Sequence, residues 1–134
     1  MEAVVDKREY HIIVADDEAL TALALACDLR NAGFRVTVVH DGCQAFVADV
    51  SDAADVLLTD LDMPRLDGGD LIRCLRARRP AIPVVIMTGQ AIPPDLLEDP
   101  VSPTLSLAKP VSDYELMHAL RCVLPSLNEA ARST

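Results

Sequence analysis

The sequence predicts an α/β domain built on a doubly wound parallel sheet, and three observations carry that expectation. Short apolar runs alternate with longer segments of helical periodicity along the whole chain. The runs are apolar at nearly every position, as strands covered on both faces must be. Helix start and stop signals, among them Gly33, Asp41, Asp67, Ser112 and Pro125, fall between the runs. With 134 residues, the chain has room for one such core.

Residues 10–15, Tyr-His-Ile-Ile-Val-Ala, form the first predicted strand, which runs into an acidic cluster. Residues 18–32 are rich in Ala and Leu and predict a helix with Leu20, Leu23, Ala24 and Cys27 on one face and Gly33 as its stop. The β-branched residues 35–39 are the second strand. Asp41, with Gln44 three residues on, has the pattern of an N-cap and its reciprocal partner, opening a helix to about Val50. Residues 55–59 are the third strand, ending at Asp60, and Asp67 caps a helix through Leu71, Ile72 and Leu75 to an arginine-rich end before Pro80. Residues 82–87 are the fourth strand and residues 104–108 a weaker fifth. Ser112 and Glu115 stand at capping-box spacing ahead of a helix that turns Leu116, Leu120 and Val123 inward and stops at Pro125.

Composition narrows the partners. Hydrophobic residues make up 51% and charged residues 25%, which excludes a disordered or fibrous chain. Against 12 Lys+Arg stand 21 Asp+Glu, a net charge of −9, and a surface of that sign repels nucleic-acid backbones and anionic membranes. Direct nucleic-acid binding is therefore not expected. The longest charge-free stretch, residues 80–94, contains four prolines and cannot span a bilayer. Glu2, Asp6, Lys7, Arg8 and Glu9 are unlike a secretory leader, so a cytoplasmic location is expected. Cys27, Cys43, Cys74 and Cys122 lack any ligand spacing and read as reduced core residues. His11, His40 and His118 are isolated and read as surface or satisfied side chains. The arginines at 73, 76, 78 and 79 read as cations set against a helix C-terminus.

In a doubly wound fold the site lies beyond the carboxyl ends of the strands. The first strand ends in Asp16-Asp17-Glu18, the third in Asp60, the fourth in Thr88-Gly89 and the fifth in Lys109-Pro110. Converging carboxylates repel one another unless a cation sits among them, and an all-oxygen set suits a hard ion such as Mg²⁺. A free carboxylate beside a hydroxyl and a lysine supplies a nucleophile and donors for a transferring phosphoryl group, the chemistry that makes an aspartyl phosphate.

Asp16-Asp17, Asp60 followed by Met63-Pro64 and Asp67-Gly68, Thr88-Gly89 and Lys109-Pro110 stand in the order and close to the spacing of one family. Over about residues 9–124 the chain resembles a receiver domain of the two-component response regulators. The resemblance implies a flavodoxin-like five-stranded parallel sheet of order 2-1-3-4-5 flanked by helices, with residues 1–8 as an N-terminal extension, 9–125 as the receiver domain and 126–134 as a polar tail. It implies Asp60 as phosphoacceptor, and Asp17 as a direct and Asp16 as a largely water-mediated Mg²⁺ ligand. The backbone carbonyl of Asp62 would complete the protein's share. Thr88 and Lys109 would contact the phosphoryl group, and Asp62 and Gln90 would tune its lifetime. The implied donor is a histidine kinase or a histidine phosphotransfer protein, and the output is contact with a further protein. Such a domain is not an enzyme on another substrate; it catalyses its own phosphorylation and dephosphorylation.

The chain also departs from the family. Pro93, Pro94, Pro100 and Pro103 fall where a full fourth helix is usual, leaving at most a turn over residues 95–99. Ser106 and Val111 replace the usual aromatics before and after the lysine. These departures resemble receivers attached to hybrid sensor kinases, an alternative origin for the chain. Asp60-Leu61-Asp62 also resembles the nucleophile motif of haloacid-dehalogenase-like phosphatases, but there the acidic metal pair comes late and a cap domain is normal.

Overall fold

The computed structural model describes residues 10–97 and 103–124. The elements follow in the order β1 (His11–Ala15), α1 (Ala19–Asn31), β2 (Arg35–Val39), α2 (Gly42–Ser51), β3 (Val56–Asp60), α3 (Gly68–Arg78), β4 (Val84–Thr88), α4 (Pro94–Leu97), β5 (Thr104–Ala108) and α5 (Asp113–Val123). The strands make one parallel sheet of order β2-β1-β3-β4-β5, as the resemblance implies. Every residue of β1, β3 and β4 is buried, which is why these runs show no polar alternation.

Alternate residues of each strand feed two cores. Ile12 and Val14, Val56 and Leu58, and Val85 and Met87 pack under α1 and α5. Ile13 and Ala15, Leu57, and Val84 and Ile86 pack under α2, α3 and Leu96 of α4. Three helices start with their expected caps: Asp41 Oδ1 accepts from the Gln44 N–H at 2.8 Å, Asp67 Oδ1 from the Asp70 N–H at 2.8 Å, and Ser112 Oγ from the Glu115 N–H at 3.1 Å. β4 begins at Val84 instead of residue 82 because Pro83 has no N–H to give the ladder. The first strand pair shifts β3 one residue on, and Asp55 instead receives the His11 N–H at 2.6 Å. Among the described residues α4 covers one turn, Pro94–Leu97, and the expected turn over residues 95–99 lies partly outside them. The N-terminal extension, the polar tail and residues 98–102 lie outside the described residues.

Three expectations need correction. In α1 the buried stripe is Ala22, Leu25, Ala26 and Leu29, whereas Leu20, Leu23, Ala24 and Cys27 face outward. The helix is apolar nearly all round, so its own periodicity does not choose a face; the sheet does. All four cysteines are exposed, each lying off its helix's buried stripe, and none is a core residue. The arginines do more than face a helix dipole. Arg79 donates to Asp49 Oδ1 at 2.5 Å and to the Ala54 carbonyl at 2.7 Å, neutralising an Asp49 side chain that is wholly buried. Arg76 donates to Thr104 Oγ1 at 2.5 Å, and Arg73 grips Asp95 from two nitrogens at 3.1 and 3.3 Å. They tie α3 to α2, β5 and α4.

Candidate functional site

Because the strands are parallel and in register, the residues that end them share one rim. Ala15 is level with Thr59, Asp60 with Met87, and Thr88 with Ala108. Asp16 and Asp17 leave β1, Asp60 ends β3, Thr88 ends β4, and Lys109 follows β5, joined to Pro110 by a cis peptide bond. The rim thus assembles what the strand ends promised.

One carboxylate oxygen from each of Asp16, Asp17 and Asp60 lies within 4.8 Å of the others. Asp16 is fully buried and Asp60 is 7% exposed, while Asp17 opens to solvent. Asp17 does not cap α1. Glu18 takes the N-cap position without a side-chain bond, and its N–H donates to Asp16 Oδ1 at 2.9 Å. The Asp17 carboxylate is therefore not committed to the start of α1. Lys109 Nζ donates to Asp60 Oδ2 at 2.9 Å and to Asp16 Oδ2 at 3.1 Å. Burial pushes the Lys109 ammonium toward lower pKa, but the hydrogen bonds and charges of Asp60 and Asp16 together outweigh it and raise the pKa above the ordinary lysine value.

The remaining rim residues surround this core. The Asp62 N–H donates to Asp60 Oδ1 at 3.2 Å, and the Asp62 side chain is exposed. Thr88 is 5% exposed, and its Oγ1 accepts from the Gln90 N–H at 3.0 Å. Met63 is buried and Pro64 exposed, so both shape the loop. Ser106 is exposed on β5 and Val111 half-buried after it, so neither position supplies a ring.

Two contacts that shape the site are not legible in the sequence. His40 Nδ1 lies 3.0 Å from the Asp16 carbonyl oxygen and steadies the turn that carries the acidic pair. Gly68 sits directly beneath Asp60: a Cβ there would lie 2.1 Å from the Asp60 carbonyl oxygen and 2.8 Å from Leu61 Cα. The Asp67-Gly68 pair signals a turn in the sequence, but the close approach appears only on folding.

The donor set fits a small hard cation. Of the three carboxylates only Asp16 and Asp60 share the Lys109 ammonium, and all the ligand atoms offered are oxygens, which suits Mg²⁺ and not a soft metal. Among the described residues no helix is long and apolar enough to cross a membrane.

The fold and site together are a five-stranded parallel sheet of order 2-1-3-4-5 with three clustered carboxylates and a lysine on its carboxyl rim. Residues 12–121 match the response regulator receiver domain family, and the chain belongs to it. It is 35% identical over 109 residues to the DNA-binding response regulator MtrA of Mycobacterium tuberculosis, covering 81% of this chain and 44% of that protein. It is 29% identical over 124 residues to the probable transcriptional regulatory protein TcrX of the same species, covering 89% and 51%. The chain therefore spans about half the length of the curated relatives it matches. Among solved structures, the receiver domain of the sensor histidine kinase PA1611 of Pseudomonas aeruginosa is 29% identical with a TM-score of 0.75, covering 87% of this chain and 98% of that one; that structure holds a magnesium ion in its active-site cleft.

Proposed function

We propose that Asp60 accepts a phosphoryl group from a phosphohistidine on a histidine kinase or a histidine phosphotransfer protein, in a Mg²⁺-dependent reaction, and that the phosphorylated domain signals by contact with another protein. One observation carries the proposal: the Asp60 carboxylate sits at a strand end within 4.8 Å of Asp16 and Asp17 while Lys109 Nζ reaches it at 2.9 Å. An Asp60 oxygen attacks phosphorus, the P–N bond to the donor imidazole breaks, and the imidazole leaves with that electron pair. Bound Mg²⁺ would supply positive charge to the phosphoryl oxygens and relieve the repulsion among the carboxylates.

The chain's own residues do the rest. The ammonium of Lys109 has three protons, and two are committed to Asp60 and Asp16, which leaves one for a phosphoryl oxygen. Thr88 Oγ1 receives the Gln90 N–H, so its own O–H remains to donate. Asp16, Asp17 and the Asp62 carbonyl would hold the ion. The side chains of Asp62 and Gln90 flank the acceptor from exposed positions, where they would govern access of hydrolytic water and so phosphoryl lifetime. No other substrate is implied, so the activity is the domain's own phosphorylation and its dephosphorylation by water.

A protein donor is favoured by the surface beside Lys109. A groove of about 610 Å³ opens there, lined by Leu20, Ala24, Pro110 and Val111 and rimmed by Glu18 and Asp28. Leu20 is 82% and Leu23 52% exposed on the neighbouring helix α1, an apolar surface of the kind partners cover.

The test is phosphorylation by acetyl phosphate, resolved on a phosphate-affinity gel. Wild type should shift with Mg²⁺ and not with EDTA, and Asp60→Ala should not shift at all. Persistent labelling of Asp60→Ala would overturn the assignment.

A further inference from the structure

We propose that the Asp41–Arg65 ion pair is a latch that holds the β3–α3 loop in its ion-binding shape, which makes Arg65 a positioning residue. The inference rests on the phosphoacceptor reading above and adds a residue to which that reading gives no role.

Residues 61–67 form the loop that carries Asp62. At its tip the chain reverses over a single residue: the Leu66 N–H donates to the Pro64 carbonyl at 2.8 Å across Arg65, whose φ is 68°. A side chain of this kind rarely adopts that conformation, and a tight turn through it is strained. Strain of this sort persists only where the surroundings hold it. The loop's base is held by the Gly68 N–H on the Leu61 carbonyl at 2.9 Å and by buried Met63. Beyond the tip, Leu66 presses on α2 so closely that a Cβ on Gly42 would lie 2.0 Å from the Leu66 carbonyl oxygen. The strained residue itself is tethered by its side chain, with Arg65 Nη1 donating to Asp41 Oδ2 at 3.1 Å.

Asp41 is a fixed anchor. Its side chain is 6% exposed, and Oδ1 is committed to the Gln44 N–H as the cap of α2, so Oδ2 is presented in one direction. A carboxylate so buried requires a cation, and Arg65 supplies it from a 69% exposed side chain. One aspartate thus starts α2 and fixes the tip of the loop whose other end places the Asp62 N–H on Asp60. Releasing Arg65 would let the turn relax and loosen the Asp62 backbone.

The latch and a simple charge effect predict opposite signs. A cation near a divalent site repels the ion, so if Arg65 acted through charge alone, Arg65→Gln would tighten Mg²⁺ binding. The latch requires the reverse. Mg²⁺ affinity is measured by isothermal titration calorimetry on the unphosphorylated 134-residue chain, with metal-free melting temperatures as a folding control. Arg65→Gln should weaken binding about two- to fivefold, the range expected for one ion pair of this exposure. Arg65→Lys should recover most of the loss. Asp41→Asn keeps a capping oxygen, and in that background Arg65→Gln should no longer weaken binding. Equal or tighter Mg²⁺ binding by Arg65→Gln in the otherwise native protein overturns the latch alone. Wild type that binds no Mg²⁺ sensitive to Asp17→Asn overturns the latch together with the reading it rests on.

Discussion

Replacing Lys109 by Met removes the cation that Asp16 and Asp60 share. Its ammonium donates to them at 3.1 and 2.9 Å. A hydrogen bond to a charged group nets about 1.5–3 kcal/mol, so the two together reach about 3–6 kcal/mol. The Lys109 side chain is 23% exposed. Screening, and the desolvation recovered when the ammonium is removed, reduce the expected loss in metal-free protein to about 2–4 kcal/mol. A Coulomb check agrees in scale: carboxylates at the 4.8 Å limit of the cluster repel by about 3.5 kcal/mol at an effective dielectric of about 20. The chain has no Trp, so urea unfolding is followed by far-ultraviolet circular dichroism, where the midpoint should fall by about 1–2 M. Millimolar Mg²⁺ should return most of the deficit by substituting its charge for the ammonium. The pH dependence has a definite sign. The Lys109 pKa is raised on folding, so its contribution is fully present below the unfolded value of about 10.4 and is lost as pH rises through the higher folded value. The gap between wild type and Lys109→Met should hold from neutral pH to about 10.4 and close only above it. A metal-free deficit under about 1 kcal/mol, or one that Mg²⁺ leaves unchanged, would refute this account of the rim.

Gly68→Ala would gain up to about 1 kcal/mol in an ordinary helix. Here the new Cβ meets backbone at 2.1 and 2.8 Å, atoms that cannot swing aside. A net loss of about 1–3 kcal/mol is expected, with at least about tenfold slower phosphorylation as Asp60 is displaced. A higher melting temperature than wild type would contradict it. Asp28 stands on α1 facing Asp113, whose side-chain hydrogen bond and then whose charge raise the Asp28 pKa above the ordinary carboxylate value. A raised carboxylate pKa destabilises the fold at pH above the folded value, and the penalty disappears as pH falls below the unfolded value of about 3.9. Asp28→Asn should therefore raise the melting temperature at neutral pH and not in acid; an equal change at both would dismiss the pairing.

Much of the site is legible because strand ends are local features. An apolar run that stops at a polar residue places that residue at a carboxyl end, and a parallel sheet carries every carboxyl end to one rim. Asp16, Asp60, Thr88 and Lys109 therefore meet as read, although Lys109 and Asp16 are 93 residues apart in the chain. The caps at Asp41, Asp67 and Ser112 are legible for the same reason, since each bonds an N–H three residues on.

The sequence by itself determined the alternation of elements, the parallel sheet, the short α4 and the identity of the rim residues, because periodicity, capping and proline chemistry act between near neighbours. Tertiary structure alone decided which face of α1 is buried, since Leu20 and Leu25 are equally apolar and only the sheet distinguishes them. It also decided that the cysteines are exposed and that Arg79 closes on Asp49 and Arg73 on Asp95. It set His40 on the Asp16 carbonyl and Arg65 on Asp41, pairs 24 residues apart whose side chains carry no local signal of each other. These contacts depend on how helices settle across a finished sheet, and that packing is a property of the whole chain.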